Sequence, residues 1–571
     1  MRILLVLLVS VSLCSSSQHP QVNTSQGVIV GSYYDGIERF AGIPYALAPI
    51  GERRFARAQL NENIFETPFD ATKLGAPCIQ NPIGDPRPPS LHDVPQPSED
   101  CLSLNIFRPR GDEIGLFKHP VMVYAFGGGL CSGSASNHYF DGTTFAKEHG
   151  VIVVVVSYRL GALGFLPLLN FDDDNETKLG GGMNGLYDIV CALEWIKRHI
   201  TSFGGNKDDV TLFGQSSGGY ATCTLSVSPK SEGLISRAVI ESGPCAYGPA
   251  HRTWGPMNLS YAQVISETVL ESLQCDDIEC LRSIEDPTRI RWPDVIMNTD
   301  PYFSGYFEDE WLVPTLVSDR WKDGLLIENL DLILGFNSKD GTAAFYGTAP
   351  LLGEIKGDPK ETSELNYSKH MSLAWGRSAD AVMKQYPLTD YNGSVQSAFI
   401  QADADAYVIC PTLQLARDAS TKTNVYVYEF AHFHPNRDDS RGFGCDNGVE
   451  LDVVSASNPV STLWASHGSE VQFVFGTEMG SDGLGPPNNL TTCTFSKSER
   501  ELSRTMTCFW SSFARTGNPN NNSRDDGGCG KNKWEIFSSS DVGTTMLFRE
   551  NNVQSVISRH AKQCKFWYDF Y

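Results

Sequence analysis

The chain has 571 residues, 41% of them hydrophobic and 20% charged, an ordinary globular composition with ample length for a large core. Its net charge of −22 excludes the broad basic surface that nucleic-acid binding requires and points to an acidic soluble protein.

The N-terminus, Met1-Arg-Ile-Leu-Leu-Val-Leu-Leu-Val-Ser-Val-Ser-Leu13, is one basic residue followed by a short apolar run, with small residues at Ser15 to Ser17. This pattern predicts a secretory signal peptide over 1–17 and a mature chain over 18–571. The run is too short to cross a bilayer comfortably, so no membrane span is expected once the signal is removed. Cys14 would leave with it, and the rest of the 15 cysteines are then even in number, as suits disulfides in an oxidising compartment. Asn-x-Ser/Thr sequons at Asn23, Asn175, Asn258, Asn366, Asn392, Asn489 and Asn521 point the same way. The C-terminal residues Gln563 to Tyr571 carry neither a retention tetrapeptide nor an apolar anchor tail, so secretion to the extracellular space is the expectation.

Gly27 to Tyr34 alternates like one N-terminal hairpin strand, and Phe40 to Ala46 leads into a connector rich in Pro and Gly. A proline-rich stretch with little periodicity lies between Cys78 and Cys101 and reads as a surface loop. Val121 to Phe126 is a short apolar run ending in Gly127-Gly-Gly129, and Val151 to Ser157 is a continuous β-branched run, as expected of a strand covered on both faces. Asn184 to Ile200 places Leu186, Ile189, Val190, Leu193 and Ile196 at a helical period. Further strands are predicted at Val210 to Phe213, Ser236 to Ile240, Leu332 to Leu334 and Asn424 to Tyr428. Buried strands alternating with helical segments predict an α/β fold, a large mostly parallel central sheet with helices on both faces. With no internal repeat or low-complexity linker, one catalytic domain over 18–571 is expected.

The stretch Val210-Thr-Leu-Phe-Gly-Gln-Ser216-Ser-Gly-Gly219 reads as strand, sharp turn and helix start. Such a turn strains the central residue and lifts its side chain above the sheet edge, which requires small neighbours such as Gly214 and Gly218. With these motifs in view, the chain resembles the type-B carboxylesterases of the α/β-hydrolase superfamily, a group that also holds cholinesterases, juvenile-hormone esterases and the non-catalytic neuroligins. The likeness rests on Phe40-Ala-Gly-Ile-Pro-Tyr-Ala46, Ser98-Glu-Asp-Cys-Leu-Ser-Leu-Asn105, the triple glycine, Asn184-Gly-Leu186, Phe203-Gly-Gly205 and the serine elbow. It continues through Glu241-Ser-Gly243, His467-Gly-Ser-Glu470 and Phe513-Ala-Arg-Thr-Gly-Asn-Pro519.

The resemblance implies a serine esterase. Ester cleavage needs a nucleophile, a base, a carboxylate that orients the base, and donors for the oxyanion. It implies Ser216 as the nucleophile, His467 as the base and Asp340 as the acid, the last at a position where most members carry Glu. Their order along the chain is the one expected for this fold. The backbone amides of Gly128, Gly129 and Ser217 are implied as the oxyanion hole, and Phe126 stands where many esterases have histidine. The implied disulfides join Cys78 to Cys101, Cys275 to Cys280 and Cys410 to Cys564, with Cys445 and Cys493 as an extra pair. Cys131, Cys191, Cys223 and Cys508 are expected to stay free thiols in the core. No cofactor and no metal is expected; His432-x-His434 offers two ligands with no third nearby and reads as a structural loop.

Cholinesterases hold a quaternary ammonium on a tryptophan in the first disulfide loop, which residues 78–101 lack, and carry Glu where this chain has Gln215. Uncharged esters, small-molecule or lipid, are therefore the expected substrates. Acyl-pocket residues are expected between Asp300 and Trp311, including Tyr302 and Phe303. The alternatives are a catalytically silent esterase-like adhesion or binding protein and a lipase acting on lipid esters. No feature of the sequence sets an oligomeric state.

Overall fold

The computed structural model describes residues 19–569 apart from 81–93, 112–117, 169–181, 248–258, 298–304, 308–310, 342–363, 433–464, 478–494, 522–528, 530–532 and 539–542. Among the described residues the fold is built on an 11-stranded sheet. From one edge to the other its strands are Asn552–Ile557, Thr544–Arg549, Val425–Phe430, Asp331–Asn337, Arg237–Glu241, Gly205–Gln215, His119–Ala125, Ile152–Val156, Ser103–Arg108, Ile37–Pro44 and Ser32–Tyr34. Pairing is parallel from Thr544–Arg549 through to Ile152–Val156 and antiparallel at both ends. Helices cover the parallel part, so its strands are buried on both faces and need apolar residues at every position: Ile152 to Val156 is fully buried. This is the large, mostly parallel sheet with helices that the alternating buried strands and helical segments predict, and the architecture that the resemblance implies.

The helix predicted from Asn184 spans Asn184–His199 and buries Leu186, Ile189, Leu193 and Ile196. Arg159 fixes it through a bidentate ion pair to Asp188, at 2.8 and 2.6 Å. Two sequence expectations need correction. Gly27 to Tyr34 is not one strand. Gly27–Val30 pairs in a separate three-stranded sheet, and Ser32–Tyr34 joins the large one. The change of sheet falls at Gly31, where a Cβ would lie 2.5 Å from the Arg39 carbonyl and against the Phe40 ring. Second, Cys223 and Cys508 are not free thiols: they are bonded to Cys245 and Cys529. Cys223 lies in the helix Ser217–Leu225 and Cys245 follows the strand Arg237–Glu241. The parallel crossover brings these elements side by side, although in the sequence Cys223 reads as a small apolar core residue.

Cys78 is bonded to Cys101, Cys275 to Cys280 and Cys410 to Cys564. Cys131 and Cys191 are buried, and the Cys131 thiol donates to the Gly128 carbonyl at 3.3 Å. Cys445 and Cys493 lie outside the described residues. The last disulfide fastens the C-terminal helix Ala561–Trp567 to the helix Cys410–Ala419. No helix among the described residues is long and apolar enough to cross a membrane.

Candidate active site

The site lies where the sheet changes direction. The strand after His119–Ala125 pairs on one side of it, and the next, Gly205–Gln215, pairs on the other, which opens a crevice at their C-terminal ends. Into this crevice project the glycine loop after Ala125 and the serine after Gln215. Ser216 sits at φ 57° and ψ −125°, a backbone region that a non-glycine residue adopts at a cost of about 1–3 kcal/mol. The turn is this tight because the chain segments touch. A Cβ on Gly218 would lie 2.0 Å from the Ala125 carbonyl oxygen, and one on Gly243 would lie 2.3 Å from that of Ser216. The Ser216 amide donates to the Glu241 carbonyl at 2.9 Å, and the Ser216 carbonyl accepts the first helical hydrogen bond, from Tyr220, at 2.8 Å.

Asp340 follows the strand Asp331–Asn337, and the segment carrying His467 is laid beside it by the Lys339 amide, which donates to the Ala465 carbonyl at 3.0 Å. His467 Nδ1 lies 2.9 Å from Asp340 Oδ1, and its Nε2 lies 2.7 Å from Ser216 Oγ. With a carboxylate on Nδ1, that nitrogen carries the proton and Nε2 presents its lone pair to the serine. The second oxygen of Asp340 accepts from the Asn337 amide at 2.6 Å and from Ser242 Oγ at 3.0 Å. Asp340 is thus held through both oxygens, and the shorter side chain reaches the imidazole. Burial lowers the pKa of His467, but the hydrogen bond and charge of Asp340, with Glu470 and Asp403 behind them, outweigh it, so the imidazole titrates above its ordinary value.

Two further carboxylates lie beneath these residues. Glu470 is fully buried and hydrogen-bonded by the Asn337 side chain, whose amide also donates to the Ser466 carbonyl at 2.8 Å. Burial, and then the charge of Asp340, push Glu470 up to about 7. Glu241 accepts from the Trp510 indole at 2.7 Å and is raised well above the carboxylate range by burial and by Glu470. Ser242, Asn337 and Glu470 carry no role in the sequence analysis. Their signal was present in the Glu241-Ser-Gly243 and His467-Gly-Ser-Glu470 motifs and in the tight turn that places Ser242 at φ 49°.

Gly128 and Gly129 have φ of +126° and +65°, which favours glycine at both. A Cβ on Gly127 would lie 3.0 Å from Ser216 Cβ, so this loop rests directly against the serine. Ser217 opens the helix Ser217–Leu225, where the first amides have no partner within the helix. Phe126 points into packing: its ring stacks on Tyr158 at 4.5 Å, and the Tyr158 hydroxyl donates to the Phe126 carbonyl at 2.5 Å. Gln215 Nε2 lies 3.4 Å from His467 Nε2.

A pocket opens at Ser216 and His467, lined also by Tyr220, Asp340, Asp403 and Tyr407. Tyr302, Phe303 and His434 lie outside the described residues. His432 is buried with Nε2 3.0 Å from Glu499 Oε1. Among the described residues no group of three or more His, Cys, Asp or Glu side chains could hold a metal ion.

The Carboxylesterase family model matches residues 18–567. The human protein named cocaine esterase is 30% identical over 577 residues, 96% of this chain and 91% of its own. The para-nitrobenzyl esterase of Bacillus subtilis (strain 168) is 29% identical, over 88% of this chain and 91% of its own. A solved structure titled PNB esterase shares the fold at a TM-score of 0.72 and 24% identity, covering 96% of this chain and all of that one. Matched along almost its whole length to one family and aligned over most of its length with these relatives, the chain belongs to the carboxylesterase family and is a carboxylic ester hydrolase.

Proposed function

We propose that the chain hydrolyses carboxylic esters of small molecules or lipids through an acyl-enzyme on Ser216. The observation that carries this reading is the hydrogen-bonded line from Ser216 Oγ through His467 to Asp340, at 2.7 and 2.9 Å, on a turn that holds the serine at positive φ. His467 Nε2 takes the Ser216 proton as Oγ bonds to the ester carbonyl carbon. The imidazolium so formed is stabilised by Asp340, and the oxyanion by the amides of Gly128, Gly129 and Ser217. Collapse breaks the bond to the alcohol oxygen, which receives the proton from His467. Water then repeats the sequence on the acyl-enzyme, releasing the acid and restoring Ser216.

The protein is proposed to reach the extracellular space through a signal over 1–17, leaving a single hydrolase domain over 18–571. Supporting this are the disulfide bonds, which persist in oxidising compartments, and the exposure of the sequon asparagines Asn23, Asn392 and Asn521.

The test is a fluorophosphonate label followed by peptide mass mapping, in parallel with turnover of short-chain nitrophenyl esters. Label on Ser216, and loss of both label and turnover in Ser216→Ala, is the expected outcome. A folded protein that turns over esters with Ser216 unlabelled, or a Ser216→Ala variant of near-normal rate, would overturn the mechanism.

A further inference from the structure

The glycine loop runs through three successive residues at positive φ: Gly128 at +126°, Gly129 at +65° and Leu130 at 57°. Glycine takes such a conformation freely. Leu130 does so only at a cost, and a turn of this kind persists where its surroundings over-determine it. Here they act on one atom. Among the described residues four donors converge on the Gly128 carbonyl oxygen: the amides of Cys131 and Ser132 at 3.1 and 3.0 Å, the Ser132 hydroxyl at 3.1 Å and the Cys131 thiol at 3.3 Å. The two amides close the turn whatever the side chains are. The hydroxyl depends on the residue at 132, and the thiol is the weaker donor.

Ser132 stands between anchored neighbours. On one side the Leu130 carbonyl accepts from the Gly161 amide at 2.8 Å. On the other, the Gln80 side chain accepts from the Gly133 amide at 2.9 Å and donates to the Gly133 carbonyl at 3.1 Å. Gln80 follows Cys78 by two residues, so the first disulfide loop backs this end of the turn. A Cβ on Gly133 would lie 2.6 Å from the Phe126 ring and 2.8 Å from the Gly127 carbonyl oxygen, which shows how closely the loop folds back on itself. The Ser132 hydroxyl is therefore presented to the Gly128 carbonyl by a fixed backbone.

The Gly128 carbonyl and the Gly129 N–H belong to one peptide unit, planar and trans, since no cis peptide bond occurs among the described residues. Fixing the oxygen fixes the direction of the N–H on the opposite side. Hydrogen bonds received by a carbonyl also polarise its amide and strengthen the N–H as a donor. We infer that Ser132 is a positioning residue for ester hydrolysis: by holding the Gly128 carbonyl, its hydroxyl aims and polarises the Gly129 amide that stabilises the oxyanion. The inference rests on the serine mechanism and the oxyanion donors proposed above. Tyr158 holds a different peptide, that of the Phe126 carbonyl and the Gly127 amide, which is not one of those donors.

The experiment measures inhibition of the full-length protein by pentyl trifluoromethyl ketone and pentyl methyl ketone. Ser216 Oγ adds to the activated carbonyl carbon of the first, His467 takes the serine proton, and the ketone oxygen becomes the oxyanion; the methyl ketone is bound without a new bond. The ratio of the two inhibition constants therefore reads the oxyanion hole. Ser132→Ala should lower this ratio and kcat/KM for a nitrophenyl ester together, each by about tenfold, less than the roughly 10²–10³-fold cost of losing a whole donor, with methyl ketone binding unchanged. Ser132→Thr, which keeps the hydroxyl, should retain most of the ratio, and Ser132→Val, with the shape of Thr and no hydroxyl, should lose it. A folded Ser132→Ala or Ser132→Val protein with the wild-type ratio overturns the inference, as does a loss shared equally by both ketones or a failure of both variants to fold, the marks of a merely structural role. Ser216 labelling and wild-type discrimination that the variants leave intact would sink this inference alone. A wild-type protein that takes no label and does not discriminate would sink the serine mechanism with it.

Discussion

Two histidine–aspartate pairs in this molecule share one geometry and differ in what meets the other ring nitrogen. His467 Nδ1 and His560 Nδ1 each lie 2.9 Å from an aspartate oxygen, of Asp340 and Asp405 respectively. Nε2 of His467 faces the hydroxyl of Ser216 at 2.7 Å, a partner able to lose a proton. Nε2 of His560 lies 3.5 Å from Oε1 of Glu429, which also pairs with Arg559. Although burial acts to lower it, two carboxylates push His560 up to about 9. It stays an imidazolium at neutral pH and serves as a fixed cation. Its surroundings are built for that: Asp405 accepts from Tyr386 at 2.9 Å, whose hydroxyl accepts from the Trp567 indole at 2.7 Å, beside the Cys410 to Cys564 disulfide. An aspartate alone therefore does not make a histidine a base. The group at Nε2 decides.

Exchanging the two histidines in turn breaks the comparison most sharply. His467→Gln is expected to lower kcat by roughly 10⁴-fold or more, since a serine without its base is a poor nucleophile. His560→Gln is expected to leave kcat within about twofold and to cost roughly 3 kcat-independent kcal/mol of stability, because it removes one charge from a buried, paired cluster. Ester turnover and denaturant unfolding of the two variants check both statements.

A smaller effect is the pH dependence of that stability. The folded-state pKa of His560 is raised above the ordinary 6.5, so its contribution is fully present below about 6.5 and is lost as pH rises through about 9. The unfolding midpoint should decline across that window in wild type and decline less in His560→Gln. The smallest effect concerns the rate. In the proposed mechanism His467 must be neutral to act as a base, and its pKa is raised, so the acid limb of kcat/KM should lie above the ordinary imidazole value of 6.5. Glu470→Gln removes one of the charges that raise it, and should move that limb towards lower pH.

Much of this was legible in the sequence, for reasons that differ by residue. Val151 to Ser157 could be read as a buried strand because a strand with helices on both faces needs an apolar residue at every position. The half-exposed strands at the far edge carried no such signal: Asn552–Ile557 alternates between exposed and partly buried positions and lay unread. Ser216 was legible because its turn needs small neighbours within two residues on either side. Cys223 was misread because its partner Cys245 meets it only through the crossover between two parallel strands. Asp403 carried no motif at all.

The sequence by itself determined what local sterics and burial dictate: the strand runs, the strained serine turn and the glycine loop. Each of these depends on residues next to one another in the chain. The tertiary structure decided that His467 faces Ser216 and which carboxylates stand behind it. His467 is 127 residues from Asp340 and 251 from Ser216, and only the parallel sheet, which brings the C-terminal ends of its strands to one edge, sets them within hydrogen-bonding distance. A hydrogen bond is a matter of tenths of an ångström between such distant residues, so its partners follow from packing and not from spacing along the chain.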